Sequence, residues 1–249
     1  MLACIGCEWH LRPKEQAVAD EVSVERYDRI ETLFLTTGDV AALQQMNTNY
    51  PGQTRTLIED LLQIGHVNDS DINTRFHHYF QDTTLLRLLA DVDEQYADMS
   101  DIDQELTQAF DRLHNLLPNL PVPQVYAQIG SLDQSIVVDN GTLGISLDKY
   151  LGSDYPLYLK YGYTERQRAM MTRSFIVPDC LGFYLLSLYP FPEGEAATQQ
   201  ERDRHMGCIQ YVVNRAIVKE LFKNEHVDWA TQQMRSRKVR TAEELLTSY

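Results

Sequence analysis

One β-rich interval, residues 122–148, interrupts a chain whose other periodic stretches are all helical, and it decides the fold class. Pro121-Val-Pro123 stops the preceding helix. Gln124–Ile129, Ser135–Asp139 and Thr142–Leu147 then have the β-branched and apolar density of strands. Asn140-Gly141 separates the last two runs. A type I′ turn needs φ > 0 at both central residues, which Asn and Gly tolerate, so this pair predicts a hairpin.

On either side the period is helical. Ile102, Leu106, Phe110, Leu113 and Leu117 form the clearest stripe, closed by Pro118. Before it, only helices are expected from Glu15 to Asn119. The first has Val24, Tyr27, Ile30, Leu33 and Phe34 as its stripe. Asp39 caps the next, Val40 to Met46, and further helices run through 57–64 and from Thr84 to Tyr96. After the sheet, Thr164 caps Glu165 to Met171. Pro178 sits in the first turn of Asp179 to Tyr189, a segment apolar nearly all round and therefore expected to be buried. Thr198 to Lys223 reads as one long helix facing inward through Met206, Ile209, Val213, Ile217 and Leu221. Val227 to Met234 follows, and Thr241-Ala-Glu-Glu244 is a capping box. The expectation is an α+β fold, predominantly helical, with one small antiparallel three-stranded sheet flanked by helices. Nothing rich in Gly, Ser or Pro divides residues 15–249, which are read as one domain.

Charge narrows the partners. Lys and Arg number 22 against 36 Asp and Glu, a net charge of −14. That surplus argues against a broad docking surface for nucleic acid or anionic lipid, both of which need clustered positive charge. Hydrophobic residues make up 43%, but no apolar run approaches the roughly 20 residues of a spanning helix.

Few residues have the spacing that chemistry requires. Cys4-Ile-Gly-Cys7, with His10 behind it, is half of a zinc site or a redox pair in composition, without the second ligand pair or the strand–helix context either one needs. Met-Leu-Ala-Cys4-Ile-Gly-Cys7 fits better as the end of a lipoprotein signal, with Cys7 or Cys4 as the lipidated residue and residues 1–14 as a signal remnant. A frayed terminus with two free thiols remains the plain alternative. His77-His78 lie roughly 100° apart on a helix, a spacing that suits packing better than shared metal ligation. His114, His205 and His226 are isolated. No metal ligand set and no cofactor motif emerges. The acidic run Asp91 to Glu105 reads as a solvated face, with the basic segment Arg235, Arg237, Lys238 and Arg240 as its expected partner. Asp133, Asp139, Asp148 and Asp154 surround the hairpin and suit either turn chemistry or an acid–base pair. Tyr150, Tyr155, Tyr158, Tyr161 and Tyr163 crowd the next loop, as a pocket or partner surface or as rings that pin the loop down.

The phrase Ser135-Ile-Val-Val-Asp139, followed by Gly144-Ile-Ser-Leu-Asp148-Lys-Tyr150-Leu-Gly-Ser-Asp154-Tyr-Pro156, resembles the gliding-motility lipoprotein GldB family of Bacteroidota. Arg168 to Asp179 continues the likeness. The resemblance implies a lipidated cysteine ahead of the domain and a zincin-like layout inherited from metallopeptidases. No HExxH is present, however: the helix after the sheet has no histidine, and the later helix has Asn214 where similar proteins have a Glu-Gly pair. The chain is therefore expected to be a non-catalytic lipoprotein held in the cell envelope by an N-terminal lipid, facing the periplasm and working by contact with other envelope proteins. The expected contact or pocket surface comprises Asp139, Asp148, Tyr150, Asp154, Tyr155, Tyr158 and Asp179, and pairing Tyr155→Ala with Tyr158→Ala is expected to remove binding without disturbing the fold. The alternatives are a metal-dependent hydrolase of altered chemistry, using Asp139, Asp148 or Asp179 with a distant histidine, and a soluble scaffold.

Overall fold

The computed structural model describes residues 21–192 and 198–247, and the cysteines Cys4 and Cys7 lie outside them. Twelve helices among the described residues surround one small sheet. Ahead of the sheet come α1 (Tyr27–Thr37), α2 (Val40–Asn49), α3 (Pro51–Arg55), a π-helical turn (Thr56–Leu61), α4 (Ile72–Tyr79), α5 (Thr83–Gln95) and α6 (Ser100–Leu116). After it come α7 (Pro156–Lys160), α8 (Glu165–Arg168), α9 (Ile176–Leu188), α10 (Gln199–Ile217), α11 (Glu225–Arg235) and α12 (Ala242–Thr247). Local signals place most of their ends. Asp39 accepts the Ala42 N–H, Thr164 and Thr198 close full capping boxes, and Thr241 accepts the Glu244 N–H.

The sheet corrects the expectation. It has four strands in the order β1-β2-β4-β3 and is mixed, not three-stranded and antiparallel. β2 (Gln124–Gln128) runs parallel to β4 (Thr142–Ser146), and β3 (Ile136–Asp139) pairs antiparallel with β4 on the outside. The hairpin forms as the Asn-Gly pair requires, with φ of 46° at Asn140 and 81° at Gly141. The connection at 129–135 is long enough to carry the chain past the place of β4 to the far edge, so the returning strand slots in beside β2. The fourth strand, β1 (Val24–Glu25), lies where only helix was expected, parallel to β2. Two residues carry no alternation to detect; tertiary pairing alone makes them a strand.

Tyr126, Gln128, Gly144 and Ser146 share one face of the sheet by strand alternation and register. There Tyr27 of α1 meets the Tyr126 ring edge-on at 6.2 Å, and Tyr126 lies so close over Gly144 that an added Cβ would stand 2.6 Å from its hydroxyl. The other face, with Val125, Ala127, Leu143 and Ile145, is fully buried.

Three helical expectations also shift. The buried face of α1 is Tyr27, Asp28, Glu31, Phe34 and Leu35, while Leu33 is exposed. α9 is not enclosed all round, because Phe183 and Leu188 reach solvent. α10 stops at Ile217 instead of Lys223, and Met206 points outward. Val218 adopts the left-handed conformation, and the Asn214 side chain accepts the N–H groups of Leu221 and Phe222, both at 3.0 Å, and donates to the Phe222 carbonyl at 2.8 Å. A side chain that satisfies the backbone of a turn competes with continued helix.

Candidate functional site

The tyrosine segment grows out of β4. Beyond Ser146 the chain makes one tight turn, Leu147–Lys149, which turns Asp148 inward. Its buried carboxylate accepts the N–H of Gly130 at 2.9 Å and that of Leu132, holding the β2–β3 connection where Ser131 and Leu132 both have positive φ. Burial raises the Asp148 pKa, opposed by these two N–H groups and by Lys149. Lys149 clamps the same connection, donating to the Leu132 carbonyl at 3.2 Å and to the Tyr163 hydroxyl at 2.9 Å, with its ammonium 4.5 Å from the Tyr163 ring centroid. The Tyr158 hydroxyl donates to the Asp148 carbonyl at 2.6 Å and accepts the Leu151 N–H at 2.9 Å. Tyr150, also buried, donates to Asp179 at 2.9 Å. Asp148, Tyr150 and Tyr158 therefore act as framework: their side chains face the interior and position the surface without forming it.

Asp179 retains some solvent access, and burial lifts its pKa to about 6. A carboxyl whose folded pKa is raised binds more protons in the native state than in the unfolded one. Its contribution is therefore full below the ordinary carboxylate range and is lost as pH rises through about 6. Asp179→Asn keeps an acceptor for Tyr150 and removes the buried charge. Urea unfolding should show the variant more stable than wild type by about 2 kcal/mol near pH ~8 and indistinguishable from it near pH ~4.

The accessible part of the segment is α7 and its approach. A cleft of about 750 Å³ opens between α5 and α7, lined by Thr84, Arg87, Asp91, Tyr155, Pro156 and Leu157 among others. Across it the Tyr155 hydroxyl donates to Asp91 at 2.9 Å, while Arg87 holds the same carboxylate at 2.7 Å. The ring of Tyr155 stands edge-on to Tyr158 at 5.1 Å. On the same short helix Leu159 is 54% exposed, and Tyr161 at its end 56%. Asp154 is solvated, 3.8 Å from Arg168, and Asp139 is exposed at the hairpin turn. Half-exposed tyrosine and exposed apolar pair fall within residues 155–161, over a base fixed by hydrogen bonds.

Sequence reading missed a buried polar group beneath this platform. Glu31 of α1 is fully buried and accepts the Ile129 N–H at 3.0 Å; burial pushes its pKa well up. Gln128 donates to Ser146 at 3.3 Å, also fully buried. Glu31 is legible only by its place among Tyr27, Phe34 and Leu35, on the apolar face of the helix. Among the described residues no three His, Cys, Asp or Glu side chains gather as a metal site, and no helix is long and apolar enough to cross a membrane. His77 packs edge-on to Phe34, and His205 to Phe191. Cys180 and Cys208 are buried thiols. The acidic run finds its cations in Arg87 and Arg173, not in the expected basic segment.

A model of the gliding motility protein GldB family matches residues 9–239. The chain belongs to the GldB family. The match spans every element of the site just described, from β1 through α11. It bears out the resemblance that the hairpin and tyrosine phrases carry, and with it the gliding-motility and lipoprotein character of the family. No relation of this GldB-family chain to zincin-type peptidases follows from the match. No curated protein and no solved structure matches the chain.

Proposed function

We propose that this GldB-family protein is a non-catalytic envelope lipoprotein, acylated at Cys7 or Cys4 and facing the periplasm, that works by binding other envelope proteins through α7 and the cleft beside it. One observation carries the reading: Leu159 and Tyr161 stand more than half exposed on the segment whose first residues, Tyr155 to Leu157, line a 750 Å³ cleft and whose buried members are fixed by hydrogen bonds. Apolar side chains held rigidly at the surface lose little conformational entropy on docking, which favours a protein partner. The cleft's charged rim, Arg87, Asp91 and Glu94, supplies the polar margin such contacts have.

The test is made in a gliding cell whose own copy is replaced. Leu159→Asp with Tyr161→Ser should abolish motility while the protein accumulates normally, since both residues are exposed and changes there alter stability by about 0.5 kcal/mol or less. Full motility in the double variant overturns the α7 surface. Incorporation of labelled fatty acid, lost when Cys7 and Cys4 are both replaced by Ser, checks the anchor separately.

A further inference from the structure

Seven of the 22 Lys and Arg fall within residues 211–240, against three of the 36 Asp and Glu, so this stretch reverses the sign of the chain as a whole. The fold gathers the reversal on one surface. Between the end of α10 and α11 lies a pocket of about 540 Å³ whose lining sets the cations Arg215, Lys219, Lys223 and Arg235 against two acids, Glu220 and Asp228. Among the described residues Arg215, Lys219 and Arg235 make no ion pair, and Lys223 reaches Glu220 only at 4.0 Å, with both ends solvated. Arg237, Lys238 and Arg240 follow directly and are exposed, and they too make no ion pair among the described residues. The helix dipole accounts for the cations at the ends of α10 and α11, Arg215, Lys219 and Arg235, but not for Lys223 in the turn between them.

At the rim of this pocket stands Val218. It is 68% exposed and held at φ 55°, a left-handed conformation that strains a β-branched residue and that helix ends ordinarily give to Gly. The turn is held in place by the three Asn214 hydrogen bonds to Leu221 and Phe222. An apolar tip on a fixed turn, ringed by cations that make at most one long ion pair among the described residues, has the chemistry of an interfacial contact: apolar atoms enter the headgroup boundary and ammonium and guanidinium groups meet phosphate. At physiological ionic strength charges more than about 8 Å away are screened, so the acids elsewhere on the chain do not cancel this surface.

We infer that the α10–α11 face docks this protein onto an anionic bilayer, with Val218 entering the headgroup region and Arg215, Lys219, Lys223 and Arg235 on the phosphates. The inference deepens the envelope-lipoprotein reading by setting which face a tethered domain turns to its membrane. It does not need the acyl group to be tested.

The full chain with Cys4→Ser and Cys7→Ser, hence unacylated, is sedimented with vesicles of equal parts phosphatidylglycerol and phosphatidylethanolamine, and with phosphatidylcholine vesicles. It should bind the anionic vesicles alone and be released as salt rises to about 0.5 M. Lys219→Glu with Lys223→Glu should weaken binding about 20-fold or more, on the basis of roughly fivefold per cation near such a surface. Val218→Gly should weaken it about fivefold by removing the tip while raising Tm by about 2–4 °C through relief of strain, so its loss of binding is not misfolding. Equal binding to both vesicle types, no binding to the anionic ones, or undiminished binding by the charge-reversed variant overturns the inference. So does a dimer in light scattering that the same variant dissolves, which assigns the face to a second copy of the chain. Fatty-acid labelling at Cys7 or Cys4 stands or falls independently of these results.

Discussion

Asp148→Ala should lower the unfolding free energy by about 3–5 kcal/mol. The carboxylate is fully buried and accepts two backbone N–H groups, those of Gly130 and Leu132. Alanine leaves both donors buried without acceptors, and it leaves Lys149, nearly as buried, without its neighbouring charge. The connection has no slack to absorb the loss, since Ser131 and Leu132 already hold positive φ and Gly130 approaches Ser146 so closely that a Cβ there would stand 2.9 Å from its hydroxyl oxygen. Asp148→Asn keeps the shape and one acceptor and should lose about half as much. Urea unfolding of the two variants beside wild type measures this. A loss below about 1 kcal/mol for Asp148→Ala would mean that the connection is held by something other than this carboxylate.

Tyr158→Ala should destabilise by about 3–5 kcal/mol, the range for removing a large buried aromatic. Its ring is fully buried between Tyr155 and Tyr163, with centroids at 5.1 and 5.8 Å, and its hydroxyl joins the Leu151 N–H to the Asp148 carbonyl. Tyr158→Phe isolates the hydroxyl contribution and should lose about 1–2 kcal/mol. Tyr155→Ala, at a half-exposed ring with one hydrogen bond to Asp91, should lose less than the Tyr158→Ala variant by about 2 kcal/mol or more. Thermal or urea unfolding ranks the three, and equal losses at positions 155 and 158 would erase the division between platform and surface. The same geometry corrects the expectation that pairing Tyr155→Ala with Tyr158→Ala spares the fold. Of the apolar and aromatic residues discussed on this segment, Tyr155, Leu159 and Tyr161 are the ones to alter as surface.

The site was legible in part. Asp148, Tyr150, Tyr155, Tyr158 and Asp179 stand out in sequence by density and by family phrasing, and all five meet in or near the platform. Their division into framework and surface was not legible, because alternate burial along an irregular segment follows no period. Glu31 was invisible for another reason: an acid on an amphipathic helix is ordinarily solvated, and only its partner at Ile129, 98 residues away, shows otherwise. The cationic surface was visible as a basic segment but assigned the wrong partner, since charge pairing depends on where helices dock and not on net charge.

What the sequence determined by itself is everything whose cause spans a few residues. The stripe of α6, the capping boxes at Thr164 and Thr198 and the Asn140-Gly141 turn all rest on contacts within about four positions, where the identities of neighbours fix the geometry. Tertiary structure decided the rest. Strand order, the two-residue β1, the early end of α10 and the inward turn of Asp148 depend on which distant groups arrive to satisfy backbone polarity and bury surface. Pairing β2 with β4 satisfies the sheet's inner hydrogen bonds and buries Leu143 and Ile145, a gain available only once the chain around them has closed.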